Sequence, residues 1–295
     1  MATIIDTLRH KFTSGTMLIK LIFINIGVFV LLRLASVIIM LMGGDAQPIM
    51  QWLEMPSDPA TFITRPWTII TYMFCHYDIM HILFNMLWLY WFGQIFLMTR
   101  NARQMFALYI YGGIGGALLY LLAFNIFPYF QGVNSYMLGA SASVIAIVVA
   151  TAMLHPDFKL NLLLIGQVSL KWIAIITIAI DLLSITSANA GGHIAHIGGG
   201  IIGYLFVVML KRGRDITIPF NRAIDSIVNH AKGIKSRQRT KASRPASSNK
   251  KASNPSAKSD QENLDEILDK IKKSGYSSLT SEERDRLFNI SRRIK

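Results

Sequence analysis

Charge and cysteine are what this sequence has least of. Only 16% of its 295 residues are Asp, Glu, Lys or Arg, against roughly 25% in soluble domains. With 52% hydrophobic residues and a mean hydropathy of +0.39, that shortage argues against an ordinary soluble domain and for a membrane protein. A single cysteine, Cys75, excludes an intrachain disulfide and suggests no Cys-based metal site. The charge that is present is lopsided. From Lys211 onward lie 21 of the 30 Lys and Arg residues but only 10 of the 17 Asp and Glu. A nearly neutral apolar body is therefore followed by a basic polar tail. Met1 to Ser14 is polar and mixed, and no small-residue cleavage site follows a short apolar core, so a retained membrane anchor is expected.

Six apolar segments can be drawn: Met17 to Met42, His76 to Met98, Gln104 to Phe127, Gly139 to Leu154, Val168 to Thr186 and His193 to Leu210. Crossing a bilayer takes about 20 residues, so most fit and the fourth is short. A helix that short is best housed inside a bundle, with its polar start in a water-filled hollow. Basic residues mark alternate loops: Arg9 and Lys11, then Arg100 and Arg103, then Lys159, then Lys211, Arg212 and Arg214. By the positive-inside rule both termini are expected in the cytoplasm. The second, fourth and sixth helices then all start at the outer face.

The polar oddities of the body sit near the starts of those three helices. The second carries His76, His81 and Asn85, the fourth Ser141 and Ser143, the sixth His193 and His196. His81 and Asn85 are four apart and share a helix face. Polar groups inside a membrane face the bundle interior or a cavity and are functional candidates. The bland reading of Gly139-Ala140-Ser141 is packing, since small residues line membrane helix contacts, and a lone His or Asn is commonly an interhelical hydrogen-bond partner. Four such groups on three co-directional helices favour a site instead. Gly199 and Gly203 form a small-xxx-small ridge, with Gly139 and Ala140 expected as its matching face. Acyl transfer needs a nucleophile, a base and donors for the oxyanion. Ser141 supplies the first, His196 the second, and His81, Asn85 and the Ser141 backbone amide the third. Asp181 lies in another helix at a height the sequence does not give, so a Ser–His pair without a carboxylate is expected.

His76-Tyr77-Asp78-Ile79-Met80-His81-Ile82-Leu83-Phe84-Asn85 resembles the H-x4-H-x3-N signature of the rhomboid intramembrane serine proteases. Gly139-Ala140-Ser141-Ala142 is similar to that family's G-x-S-x motif, and Ala195-His196-Ile197-Gly198-Gly199 with Gly203 to its A-H-x-x-G-x3-G motif. Arg65-Pro66-Trp67-Thr68 with Thr71 resembles the run before the first histidine. The likeness covers about residues 15–212. It implies an all-α, six-transmembrane-helix rhomboid-like bundle whose active-site cavity opens to the non-cytoplasmic side of a cell membrane, a bacterial inner membrane by type. Ser141 would be the nucleophile, His196 the general base, and His81, Asn85 and the Ser141 amide the oxyanion hole. Gly139, Gly199 and Gly203 would pack the helices at the site. Neither metal nor cofactor is implied, and the substrates would be transmembrane segments. Three positions depart from the family pattern: Ala142 where Gly is frequent, Ile145 where an aromatic is, and Leu97 where a carboxylate is.

The organisation expected is a cytoplasmic N-terminus over 1–16, the helical domain over 17–212, a basic, largely disordered linker over 213–259, and a small helical hairpin over 260–295. Within the linker, Lys232 to Lys258 is rich in Lys, Arg, Ser, Ala and Pro. It reads equally as a lipid-touching segment or a solvated tether; nucleic-acid binding is a weaker reading, because no aromatics are interleaved. In the hairpin, Leu264, Ile267, Leu268 and Ile271 follow helical spacing, and Thr280 with Glu283 resembles a capping box. Its partner is unknown. The alternative to a protease is a catalytically silent rhomboid-like protein that binds or escorts membrane helices. A small transporter is disfavoured, since the halves show no internal repeat.

Overall fold

A computed structural model describes residues 12–162 and 166–242, with Asp6, Ile267, 269–271, 279–285 and Leu287. Each of the six apolar segments contains a helix: α1 (Met17–Leu41), α2 (Ile79–Leu97), α3 (Ala102–Ile126), α4 (Ser141–Leu154), α5 (Leu170–Leu183) and α6 (Ala190–Lys211). Four of these, α1, α2, α3 and α6, are long and apolar enough to cross a membrane. Large apolar side chains such as Leu31, Leu34, Leu41, Leu122 and Leu183 face outward, as lipid-facing positions do.

Local chemistry explains where the helices begin. The Asp78 carboxylate accepts the His81 N–H at 2.8 Å and caps α2. Asn101 and Gln104 form a reciprocal capping box at the start of α3. No side chain caps α4, whose first residue is Ser141. Its opening N–H groups therefore lack the side-chain acceptor that a cap supplies.

Helix α4 is the centre of the fold, packed against α2, α3, α5 and α6 and buried over most of its length. At 14 residues it is about 21 Å long. Close backbone approach holds it. A β-carbon on Gly199 would fall on the Ala142 carbonyl oxygen, and one on Gly203 on that of Ala146. The glycine ridge of α6 thus meets Ala142 and Ala146, one turn deeper than the expected Gly139 and Ala140. Helix α3 joins the same contact, since a β-carbon on Gly116 would lie 2.6 Å from the Ala142 methyl and 2.8 Å from the Ala195 carbonyl oxygen.

The segment between α1 and α2 folds over one end of the bundle in short helical turns. Strand β1 (Met55–Pro56) pairs antiparallel with β2 (Tyr136–Met137), the two residues that lead toward α4. The Tyr72 carbonyl accepts the Gly139 N–H at 2.9 Å, and the Tyr72 hydroxyl donates to the Gly113 carbonyl at 2.6 Å. Trp52 stacks on Trp67 with centroids 5.7 Å apart, Arg65 lies 4.5 Å over Trp52, and Thr71 donates to the Leu53 carbonyl. A second hairpin, β3 (Lys159–Leu162) with β4 (Gly166–Ser169), joins α4 to α5.

The span expected to be a linker contains a helix, α7 (Ile218–Ala242). Its start is anchored by apolar and polar contacts that a composition-based reading overlooks. Phe220 packs against Phe106 and Tyr111, Arg103 pairs with Asp225 at 2.8 Å, and Gln104 donates to Asp215 at 2.8 Å. Burial alone would raise the Asp215 carboxyl, but hydrogen bonds from Thr217 and Gln104 together hold it below its ordinary value. Within the separate unit from Lys232 to Lys295, Thr280 and Glu283 exchange the hydrogen bonds of a capping box, and Lys270 pairs with Glu283 at 2.8 Å. Leu264, Leu268, Phe288 and Ile290 of the expected hairpin lie outside the described residues.

Gly199→Ala is expected to destabilise the fold by about 1–3 kcal/mol, because the added methyl meets backbone and not a movable side chain. Denaturant unfolding in detergent reads this, and an unchanged midpoint would contradict the packing account.

Candidate active site

Between α2, α4, α5 and α6 lies a cavity of about 580 Å³, lined among others by His81, Asn85, Ser141, Asp181 and His196. Ser141 stands at its edge as the first residue of uncapped α4. The other serine of this helix, Ser143, is fully buried and faces away, with its hydroxyl 3.9 Å from the Met73 sulfur.

Gly139 does not pack one helix on another. It precedes α4 with φ of 131°, a conformation that favours glycine. A β-carbon there would lie 2.8 Å from His81 Nε2. Its small size therefore lets the imidazole edge approach the strap that leads into Ser141. Sequence reading assigned Gly139 to helix packing because spacing cannot distinguish a loop glycine from a helical one.

The state of His81 follows from its neighbours. The Tyr77 N–H donates to His81 Nδ1 at 3.4 Å, which leaves the proton on Nε2, the nitrogen beside Gly139. Asn85 is buried, and its Nδ2 donates to the His81 carbonyl at 2.8 Å, keeping one further N–H available. The His76 ring lies edge-on to His81 at 5.1 Å, buried, with neither nitrogen in a hydrogen bond.

On the opposite wall the expectation of a histidine without a carboxylate is overturned. Asp181 Oδ1 lies 2.9 Å from His196 Nδ1 and 2.8 Å from His193 Nδ1. Asp181 is near the end of α5 and the histidines are near the start of α6, so the short connection between them brings all three to one depth. Sequence reasoning missed this because an apolar run does not reveal which way its single acid faces. The ligand atoms of Asp181, His193 and His196 lie within 4.8 Å of one another, a spacing that could hold a metal ion. The hydrogen-bonded form joins both rings to one oxygen. Among the described residues no hydrogen bond joins the Ser141 hydroxyl to His196; such contacts are often loose before substrate binds.

Two of the three departures from the family pattern, Ile145 and Ala142, lie close to the site. Ile145 lines the cavity, and the Ala142 methyl faces Gly116.

Comparison with known proteins adds five findings. A model of the rhomboid domain matches residues 64–213, and a family of unknown function (DUF6576) matches residues 253–293. The chain is 32% identical over 158 residues to RHOMBOID-like protein 12, mitochondrial, of Arabidopsis thaliana, covering 50% of this chain and 47% of the relative. It is 27% identical over 192 residues to the rhomboid protease GlpG of Yersinia pseudotuberculosis, covering 63% of each. To GlpG of Klebsiella pneumoniae it is 38% identical over 87 residues, covering 30% of this chain and 27% of that protein. The chain thus spans less than two thirds of these relatives' lengths.

Gly139→Ala is expected to slow fluorophosphonate labelling of Ser141 by at least about tenfold, since the methyl displaces the His81 edge and strains the backbone. A labelling rate equal to wild type would contradict this placement of His81.

Proposed function

This chain belongs to the rhomboid family, and we propose that it is an intramembrane serine endopeptidase that cuts transmembrane segments of other membrane proteins. The observation that carries this reading is the convergence of Ser141, His196, His81 and Asn85 on one cavity. The four come from three separate helices.

Ser141 Oγ attacks the scissile carbonyl carbon while His196 Nε2 takes the hydroxyl proton. The carbonyl oxygen becomes an oxyanion facing the Ser141 N–H, His81 Nε2–H and the free N–H of Asn85. The start of α4 adds the positive end of its dipole. His196 then hands its proton to the leaving amine, whose C–N bond breaks, and an acyl-serine remains. Water attacks that ester with His196 again taking the proton, which returns Ser141 and releases the new carboxyl terminus.

In this reading α1 to α6 form a six-helix membrane bundle. Both termini lie in the cytoplasm, because Arg100, Arg103, Lys159 and Lys211 mark the same side. The cavity then opens to the outer side, and substrates would be cut near that boundary, where helix-destabilising residues let the strand unwind. The uncapped start of α4 suits this arrangement, since N–H donors are needed there by the oxyanion. A second reading, a silent protein that binds membrane helices, is favoured only by the missing Ser141–His196 hydrogen bond.

The test uses the full-length protein in bilayers with a fluorophosphonate probe and a transmembrane peptide. Wild type is expected to be labelled and to cleave; Ser141→Ala abolishes both, and His196→Ala lowers cleavage by at least about a thousandfold while leaving an inserted, folded protein. Absence of wild-type labelling, or labelling that survives Ser141→Ala, would support the silent reading and overturn the protease.

A further inference from the structure

Resting on the roles of Ser141 and His196 above, we propose that Asp181 is a positioning residue that makes the Ser–His pair a three-membered line. An ionised carboxylate only accepts hydrogen bonds, so both contacts to Asp181 Oδ1 require the proton of each imidazole to sit on Nδ1. For His196 this leaves Nε2 as the lone pair, the nitrogen required to take the serine proton. Asp181 therefore selects the reactive tautomer and fixes the ring's rotation.

Burial argues that the carboxylate is there for this purpose. Asp181 is 3% exposed within an apolar helix, where an acid is costly and persists when it has a partner and a task. Its Oδ2 is buried without a hydrogen-bond partner. A carboxylate retained for stability alone would be better satisfied. Here one oxygen takes both histidines, and the charge stays unspent until His196 gains its second proton. During acylation the Ser141 Oγ–H bond breaks and the proton moves to Nε2. The Nδ1 proton stays where it is, and the imidazolium formed faces Asp181 at 2.9 Å. His193, three residues earlier on α6, bonds the same Oδ1 and helps to fix the carboxylate.

Asp181→Asn keeps the shape and removes the charge. It is expected to lower kcat by about 10²–10⁴-fold with KM unchanged, and Asp181→Glu to recover at least about tenfold over the amide. A structural role alone would not give that split with rescue. Wild-type kcat in a folded Asp181→Asn protein would overturn the proposal while leaving Ser141 and His196 in place. A wild type that neither labels nor cleaves would instead sink the protease reading beneath it. Should the amide variant fail to fold, 15N-histidine spectra of wild type decide the matter. The His196 signal, identified by its loss in His196→Gln, is expected as the Nδ1–H tautomer, and the Nε2–H tautomer would overturn the proposal.

Discussion

The carbonyl oxygens of Ala142 and Ala146 occupy the space that β-carbons on Gly199 and Gly203 would need, so α4 and α6 touch backbone to backbone. In a bilayer, apolar side chains gain little from leaving lipid, and such close van der Waals contact is the main force that aligns helices. The register of this one contact sets the relation of Ser141, at the head of α4, to His196, one turn before Gly199 and Gly200. Gly112 and Gly116 of α3 press on the same alanines and prevent α4 from shifting away. Small residues and the groups proposed to be catalytic therefore share one contact. Each of the two motifs sets Ser141 or His196 within a turn of the glycine or alanine packed in that contact.

Around this contact the polar groups divide into satisfied and poised. Asn25, inside α1, donates to the Leu21 carbonyl and to the Tyr109 hydroxyl, and Tyr109 in turn donates to the Met73 carbonyl. That network closes on itself, as buried polar groups ordinarily do. The cavity is different. The start of α4 has no cap, Asp181 Oδ2 has no partner, and Asn85 keeps an unused N–H. Of these, the N–H groups of Asn85 and of the start of α4 are donors, which a transient oxyanion requires, whereas Asp181 Oδ2 can only accept.

Much of this was legible in the chain itself, and the reasons are specific. Apolar runs of membrane length located α1 to α6 within a few residues, because transfer from water dominates the choice. Their ends differ where caps decide instead, as at Asp78 and Asn101. Parity of the basic loops led to the expectation that Ser141, His196, His81 and Asn85 share one depth, and all four line one cavity. Three features were not legible. The face of α5 that carries Asp181 depends on how that helix rotates against its neighbours, which a uniformly apolar pattern does not encode. Gly139 acts through φ of 131° and the space beside His81, neither of which spacing reveals. The start of α7 depends on Phe220 docking on α3, a contact between positions more than a hundred residues apart.

The central claim is that Ser141 attacks a carbonyl whose oxygen is received by its own amide, His81 and Asn85. The most direct measurement is a structure of the full-length protein bearing a fluorophosphonate. The account predicts a covalent bond to Ser141 Oγ, with a phosphonyl oxygen about 3 Å from the Ser141 nitrogen and from His81 Nε2 or Asn85 Nδ2. A phosphonate bonded elsewhere, or one whose oxygens turn away from all three donors, would contradict it.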